Sequence, residues 1–235
     1  MKNKFLIFLF LILKSSAIYS QIITDRPSQT DSPLLIDKGY VQIETGVSIE
    51  EIQSKINSLV RIGILNGVEV RINSNYIIND EISYQKKSSF ADFELGSKFK
   101  LLDNDKLNTN ISFLTYLSIP TAPEVFSNNE YGFLNKLLVS HNLTSDSQMG
   151  YNIGYNKFTN YDGLYVYSLL YDKTLGSFSI LFELFGNSNS NISNSNFNSG
   201  ITYLIDNDKQ LDLSMVKGLN NDLFFIKLGF SFRIY

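Results

Sequence analysis

The sequence predicts an all-β fold: an antiparallel transmembrane β-barrel of twelve strands, preceded by an N-terminal signal peptide. Apolar residues recur at every second position from about residue 39 onward, which is the spacing of strands rather than helices. Turn signals divide this region into segments whose connections alternate between long and short. Long loops alternating with short turns along an even number of strands are typical of outer-membrane barrels.

The first twenty residues have the pattern of a secretory signal. Lys2 and Lys4 precede the apolar run Phe5–Leu13, and small residues follow before Gln21. A membrane anchor would need about 20 apolar residues, and Lys14 interrupts the run too early. We therefore expect cleavage after Ser20 and export to the outer membrane of a Gram-negative bacterium.

Twelve segments carry the alternation and form the predicted barrel, residues 39–235. Their β-branched and aromatic content is typical of strands, and Asn66-Gly67 is a strong two-residue hairpin signal. The predicted strands span 39–49, 58–65, 68–76, 89–101, 108–119, 133–141, 148–157, 163–171, 177–186, 197–205, 209–217 and 223–235.

The last segment indicates the environment of each face of a strand. Every second residue from Phe224 to Ile234 is large and apolar, whereas Lys227 and Arg233 lie on the opposite face. In a barrel the apolar face contacts lipid, the polar face lines the lumen, and the last strand pairs with the first so that no edge is left open. A soluble sandwich would bury the apolar faces instead, and alternation alone does not distinguish the two. The long strands, the signal peptide and the C-terminal strand favour the barrel.

The same segment also matches a signal for assembly. It follows the pattern polar-x-Gly-x-x-apolar-x-apolar, which resembles the signal recognised by the barrel assembly machinery. The matching residues, with the final aromatic residue, are Lys227, Gly229, Phe232, Ile234 and Tyr235. We therefore expect this machinery and outer-membrane lipid to be partners of the chain.

Charged residues are frequent at the predicted lumen positions of the first four strands. Acids and bases are mixed, so neighbouring strands can pair them inside the barrel, whereas a charge on the lipid face would cost roughly 2–4 kcal/mol at mid-membrane. Two interpretations remain open: a salt-bridge ladder that stiffens the wall, or a set of groups that guides solutes. The residues are Glu44, Arg61, Glu69, Arg71, Asp92, Glu94, Lys98 and Lys100.

Residues 21–38, which we name the leader, precede the first strand. They contain "ITDRPSQTDSP", which is polar, holds two prolines and is unsuited to a strand. Two arrangements are open: a loose periplasmic segment, or a segment that folds back into the barrel as a lumen plug. In the second, Asp25, Arg26 and Gln29 would join the lumen charges on the solute path.

Several motifs together resemble a known family. These are "TDRPSQTDSP…KGYVQIETG", "FADFELGSKFKL", "SFLTYLSIPT", "KQLDLSMVKGLN" and "FIKLGFSFRIY". They resemble the outer-membrane family labelled "Putative MetA-pathway of phenol degradation", and the likeness spans nearly the whole mature chain. The resemblance implies a transporter β-barrel that is encoded near aromatic-degradation genes in some bacteria.

Other chemistries find little support. The chain has no cysteine and one histidine, which excludes thiolate catalysis and a multi-histidine metal site. Ser140 and His141 are adjacent, so on a strand they point to opposite faces and cannot act as nucleophile and base. No phosphate-binding glycine loop is present, and a net charge of −3 does not favour nucleic acid. We expect no catalytic residue, metal or cofactor.

These observations predict an outer-membrane channel for passive passage of small, hydrophobic or aromatic solutes. Twelve strands lie between the filled barrels of about 8 strands and the open pores of 16–18, so a narrow or partly occluded lumen is expected. One alternative is a structural barrel with an occluded lumen that displays loops 77–88, 120–132 and 187–196 to partners. A soluble periplasmic lipid binder is another.

Overall fold

The computed structural model describes residues 21–79, 88–104 and 106–235. The predicted signal peptide, residues 1–20, lies outside the described residues. The one helical element within them is the short 3-10 helix Glu124–Phe126. No helix in these parts of the chain is long and apolar enough to cross a bilayer.

Strands make up most of the described chain. They are β1 Val41–Ile49, β2 Gln53–Leu65, β3 Val68–Asn79, β4 Ser88–Phe90, β5 Phe93–Asn104, β6 Thr109–Ile119, β7 Gly132–Asn142, β8 Ser147–Phe158, β9 Leu164–Leu175, β10 Phe178–Ser188, β11 Ser193–Asp206, β12 Lys209–Gly218 and β13 Phe224–Ile234.

All strand pairs are antiparallel and the sheet closes on itself. β13 pairs with β1 along the whole length of β1, from Val41 opposite Ile234 to Ile49 opposite Ile226. Closure pairs both edges of the continuous wall, as a lipid environment requires, whereas the short strand β4 pairs on one side only, with β3. The predicted pairing of last strand with first is confirmed.

The thirteen strands occupy twelve places in the wall. β4 and β5 both pair with β3, β4 with its later part and β5 with its earlier part, so together they fill one place. The predicted twelve-strand barrel is therefore confirmed. The single strand predicted over 89–101 is broken at Ala91 and Asp92, and the Asp92 carboxylate binds a neighbouring loop, as described below.

The two faces of each strand differ as the alternation predicts. Outward apolar residues are exposed on the barrel surface, for example Leu228 at 55% and Ile153 at 66%. Inward polar residues are buried, and Gln42, Glu44 and Arg61 are fully so. The outer face is therefore suited to lipid, and the interior is a polar lumen.

Some predicted strand ends were wrong where polar residues continue a strand. β2 begins at Gln53, so the predicted loop 50–57 shrinks to 50–52. The asparagine- and serine-rich stretch 187–196, predicted as a loop, lies mostly in β10 and β11, with a tight turn at 189–192. Asn189 Oδ1 accepts hydrogen bonds from the backbone of Asn191 and Ile192. Near a barrel end both strand faces tolerate polar side chains, so alternation is lost although the strand continues.

The lipid-facing surface gives a direct test of orientation. We expect Leu228→Arg, near the middle of β13, to destabilise the barrel by about 2–4 kcal/mol, because it places a charge in hydrocarbon. The matched change Leu175→Arg, at the end of β9 beside a turn, should cost at most about 1 kcal/mol. Urea unfolding in lipid vesicles measures both free energies. Equal, small costs would contradict the assigned outer face.

Candidate functional site

The leader lies inside the barrel. The backbone N of Ile22 donates to the carbonyl oxygen of Asn207 at 2.8 Å, in the turn between β11 and β12. The chain then enters the lumen and returns to the same end, where Gly39 N donates to Gly63 O at 2.9 Å. We name this end, which carries the turns 66–67, 176–177 and 207–208, the turn end, and the opposite end the loop end. The leader therefore enters and leaves through one mouth.

A buried ion-pair network joins the leader to the first strands. Arg61 on β2 bonds Glu44 of β1 at 2.9 Å and Glu69 of β3 at 2.8 Å. Asp25 of the leader pairs with Arg71 of β3. Lys98 Nζ of β5 lies 3.7 Å from Asp25 Oδ2. We name these six residues the charge cluster: Asp25, Glu44, Arg61, Glu69, Arg71 and Lys98. The structure thus brings together six of the residues singled out in the sequence.

The cluster also satisfies the backbone of the leader, which has no strand partner. Glu44 Oε2 accepts from the backbone N of Asp25 at 2.9 Å, and Glu69 Oε2 accepts from the N of Ile36 at 3.0 Å. Arg61 Nη1 donates to Ile23 O at 2.7 Å. Buried backbone groups need such partners. The wall charges therefore do two things: they neutralise one another, and they fix an irregular segment inside the lumen.

The charge state of Asp25 follows from its neighbours. Burial would raise the pKa of this carboxyl, but the positive charges of Lys98, Arg71 and Arg61 hold the pKa of Asp25 well below its usual range. Asp25 therefore stays ionised near neutral pH, and the ion pairs that hold the leader persist.

Arg26 lies on the seam between the first and last strands. Its Nε and Nη2 donate to the two carboxylate oxygens of Asp212 on β12, both at 3.1 Å. Its guanidinium lies against Gly46 of β1 and Gly229 of β13, which face each other across the seam. A Cβ on either glycine would overlap the guanidinium. The glycine pair therefore makes room for the arginine.

The deepest part of the leader is held by a second acid. Glu183 of β10 accepts from the backbone N of Gln29 at 2.8 Å and of Thr30 at 2.6 Å, and from Thr30 Oγ1 at 2.7 Å. Asn198 Nδ2 of β11 donates to Glu183 at 2.8 Å. Lys227 Nζ donates to the carbonyl oxygen of Pro27 at 2.9 Å. Sequence reasoning did not single out Glu183 or Asp212, although each is an acid at an inward position of an otherwise regular strand.

Two of the predicted lumen acids lie apart from the charge cluster. Glu94 accepts from Asn73 Nδ2 at 2.7 Å, nearer the loop end. Asp92 lies in the break between β4 and β5 and accepts from the backbone N of Thr121, Ala122 and Asn128, at 3.1, 3.1 and 2.7 Å. Asp92 therefore anchors the loop 120–131.

The residues of the predicted assembly signal divide between the two faces. Lys227 and Gly229 point inward and contact the leader. Phe232 stacks on Phe230 with ring centroids 5.8 Å apart, and Ile234 is 52% exposed. The ring of Tyr235 meets Tyr40 edge-on at 5.1 Å. Recognition by the assembly machinery stays a prediction.

Neighbouring Ser140 and His141 point to opposite faces. Ser140 is buried in the lumen. His141 Nδ1 lies 2.8 Å from Thr109 Oγ1, and its Nε2 lies 3.1 Å from the Tyr151 hydroxyl. Thr109 also donates to Leu107 O. Within the described residues, no group of three or more His, Asp or Glu side chains is placed to hold a metal ion.

Two cavities lie beside the leader. The loop-side cavity, about 210 Å³, is lined by Asn57, Asn73, Glu94, Tyr116, Leu134 and Lys136 among others. The turn-side cavity, about 240 Å³, is lined by Gln148, Leu170, Asp172, Leu181, Thr202 and Gln210 among others. Both border Arg26, Ser28 and Asp31 of the leader, but they contact different wall residues. The leader is thus the partition between them.

A closed twelve-strand barrel with a lipid-suited exterior and a polar lumen defines a transmembrane β-barrel with a porin-like fold. The chain belongs to the family described as "Putative MetA-pathway of phenol degradation", whose model matches residues 24–234. No curated protein matches it in sequence.

Solved structures of outer-membrane channels share the fold. An outer membrane channel from Pseudomonas putida F1 is 10% identical with a TM-score of 0.63, covering 94% of this chain and 100% of its own. The KdgM porin in complex with disordered oligogalacturonate is 14% identical with a TM-score of 0.63, covering 83% and 99%. The NanC porin is 13% identical with a TM-score of 0.58, covering 83% and 100%.

Proposed function

We propose that the protein is an outer-membrane channel for passive passage of small solutes, not an enzyme, and that the leader is its constriction. The observation that carries the proposal is a polar segment fixed across the lumen with a cavity on either side. Export through the signal peptide 1–20 and insertion by the barrel assembly machinery, with the turn end in the periplasm, belong to the same proposal.

The residues that line the cavities are suited to solutes that combine an apolar body with a polar group. Leu114, Tyr116 and Leu134 give the loop-side cavity apolar surface, while Arg71 and Lys136 lie beside them. Small pockets that mix apolar walls with a few polar groups are typical of binding sites for small molecules. We extend the proposal to small aromatic solutes, in keeping with the family.

The proposal predicts that the leader limits flux. Removal of residues 21–34 should raise the permeation of small aromatic compounds into proteoliposomes by about tenfold or more, because it joins the two cavities into one passage. Release of a fluorescent dye of similar size measures the flux. A chain of full length carrying Lys100→Ala, which removes an exposed pair with Asp103, serves as the control.

A second candidate is a structural barrel with an occluded lumen. The burial of the charge cluster favours it, since charges held this way can stiffen a wall without any transport. Equal, negligible flux through the full-length and shortened chains, both shown to be folded by gel mobility without heating, would support this candidate and overturn the channel.

A further inference from the structure

The turn-side cavity holds a carboxylate with no positive partner. Its charged lining groups are Arg26, Asp31 and Asp172. Arg26 is neutralised by Asp212 at 3.1 Å, and Asp31 by Lys136 at 2.6 Å. Asp172 forms no ion pair among the described residues. The side chains that line the cavity therefore carry one net negative charge.

The neighbour of Asp172 in sequence does not neutralise it. Lys173 lies on the opposite face of β9, as strand alternation requires, and pairs with Asp146 at 3.4 Å. Asp172 is half-buried on the inner face together with Leu170 and Thr174, which also line the cavity. Its charge is therefore directed into the lumen.

The strand that carries Asp172, β9, differs from most strands of the wall in its contacts with the leader. Polar contacts tie the leader to β1, β2, β3, β5, β6, β7, β10, β11, β12 and β13. In the described parts of the chain, none ties it to β9. Opposite β9, the inward positions of β8 include Gly150 and Gly154, which pair with Leu170 and Val166. The Oγ of Ser168, buried on the inner face of β9, has no hydrogen-bond partner.

We propose that Asp172 makes the turn-side cavity a binding site for small organic cations, and that it selects protonated amines over anions of the same size on a route beside β9. This inference rests on the proposed channel function for its biological role. The hydroxyl and amide groups of Gln148, Thr202 and Gln210 replace part of the hydration of the ammonium group, and Leu170 and Leu181 contact its carbon skeleton.

Thiol chemistry tests the site, because the native chain contains no cysteine. Thr174→Cys places one thiol on the inner face of β9, roughly 7 Å from Asp172. Its modification rate is measured with two methanethiosulfonates of similar size, one carrying a trimethylammonium group and one a sulfonate. The matched control is Ser177→Cys, in the exposed turn of the same hairpin.

We expect Asp172→Asn to lower the ratio of cationic to anionic modification rates at Thr174→Cys by about tenfold. This is the effect of removing one unit charge, which attracts the cation and repels the anion, at roughly 7 Å from the thiol. The ratio at Ser177→Cys should not change. A ratio at Thr174→Cys that is unaffected by Asp172→Asn, or a thiol that reacts with neither reagent, would overturn the site. Because modification needs no passage across the membrane, this result is separate from the flux of the full-length and shortened chains, which decides the channel itself.

Discussion

Replacement of Arg61 by alanine is expected to destabilise the barrel by about 3–5 kcal/mol, because it leaves buried carboxylates without their main partner. Arg61 is fully buried and bonds both Glu44 and Glu69 within 2.9 Å. It also donates to the carbonyl oxygens of Ile23 and Leu34, so the leader loses two attachments at the same time. Unfolding by urea in lipid vesicles gives the free energy.

A matched pair of variants separates charge pairing from packing. Lys100→Ala removes an exposed ion pair with Asp103 and should cost at most about 1 kcal/mol. In the double variant Arg61→Met with Glu69→Leu, the pair is replaced by apolar groups, and the cost should be clearly smaller than the sum of the single changes. Additive costs would show that Arg61 and Glu69 are not coupled.

The second large effect is expected at the deepest part of the leader, where Glu183→Leu should release it. Glu183 accepts three hydrogen bonds from Gln29 and Thr30, and each bond to a charged group contributes about 1.5–3 kcal/mol. These contributions are not additive, so we expect a total of at least about 3 kcal/mol. That corresponds to roughly a 100-fold rise in the released fraction.

A buried thiol measures that release. Ser214 lies on the inner face of β12, is 3% exposed and has a hydroxyl without a hydrogen-bond partner, so Ser214→Cys is a mild change. Its labelling rate should rise about 100-fold in Glu183→Leu, because labelling follows the population of the open state. Asp103→Leu, which removes an exposed pair with Lys100, is the control. An unchanged rate in Glu183→Leu would show that Glu183 does not hold the leader.

The fold could be predicted because alternation is a local property. The apolar positions of β13 and the Asn66-Gly67 turn specify strand, face and hairpin without knowledge of any distant residue. The strand ends were less accurate at Gln53 and around 187–196, since the alternation depends on lipid on one side and fades beyond the membrane.

The lumen contacts could be predicted only in part. A charge at an inward position, such as Arg61 or Glu69, is conspicuous because lipid-facing charges are so costly. Its partner depends on strand register and on the path of the leader, which has no periodicity. Glu183 and Asp212 were missed for this reason. Each is a single acid far along the chain, and its role depends on the folded leader, which places Gln29 beside Glu183 and Arg26 beside Asp212.

The route of the leader, in and out through one mouth, has a mechanical consequence. The segment is a loop and is not threaded through the barrel. It can therefore leave the lumen through the turn end without any part of the chain passing through the barrel. Gly39 connects it directly to β1. Any pull on the residues ahead of Ile22 from the turn end would act first on the bond to Asn207, and next on the bonds that Ile23 accepts from Gln42 and Arg61.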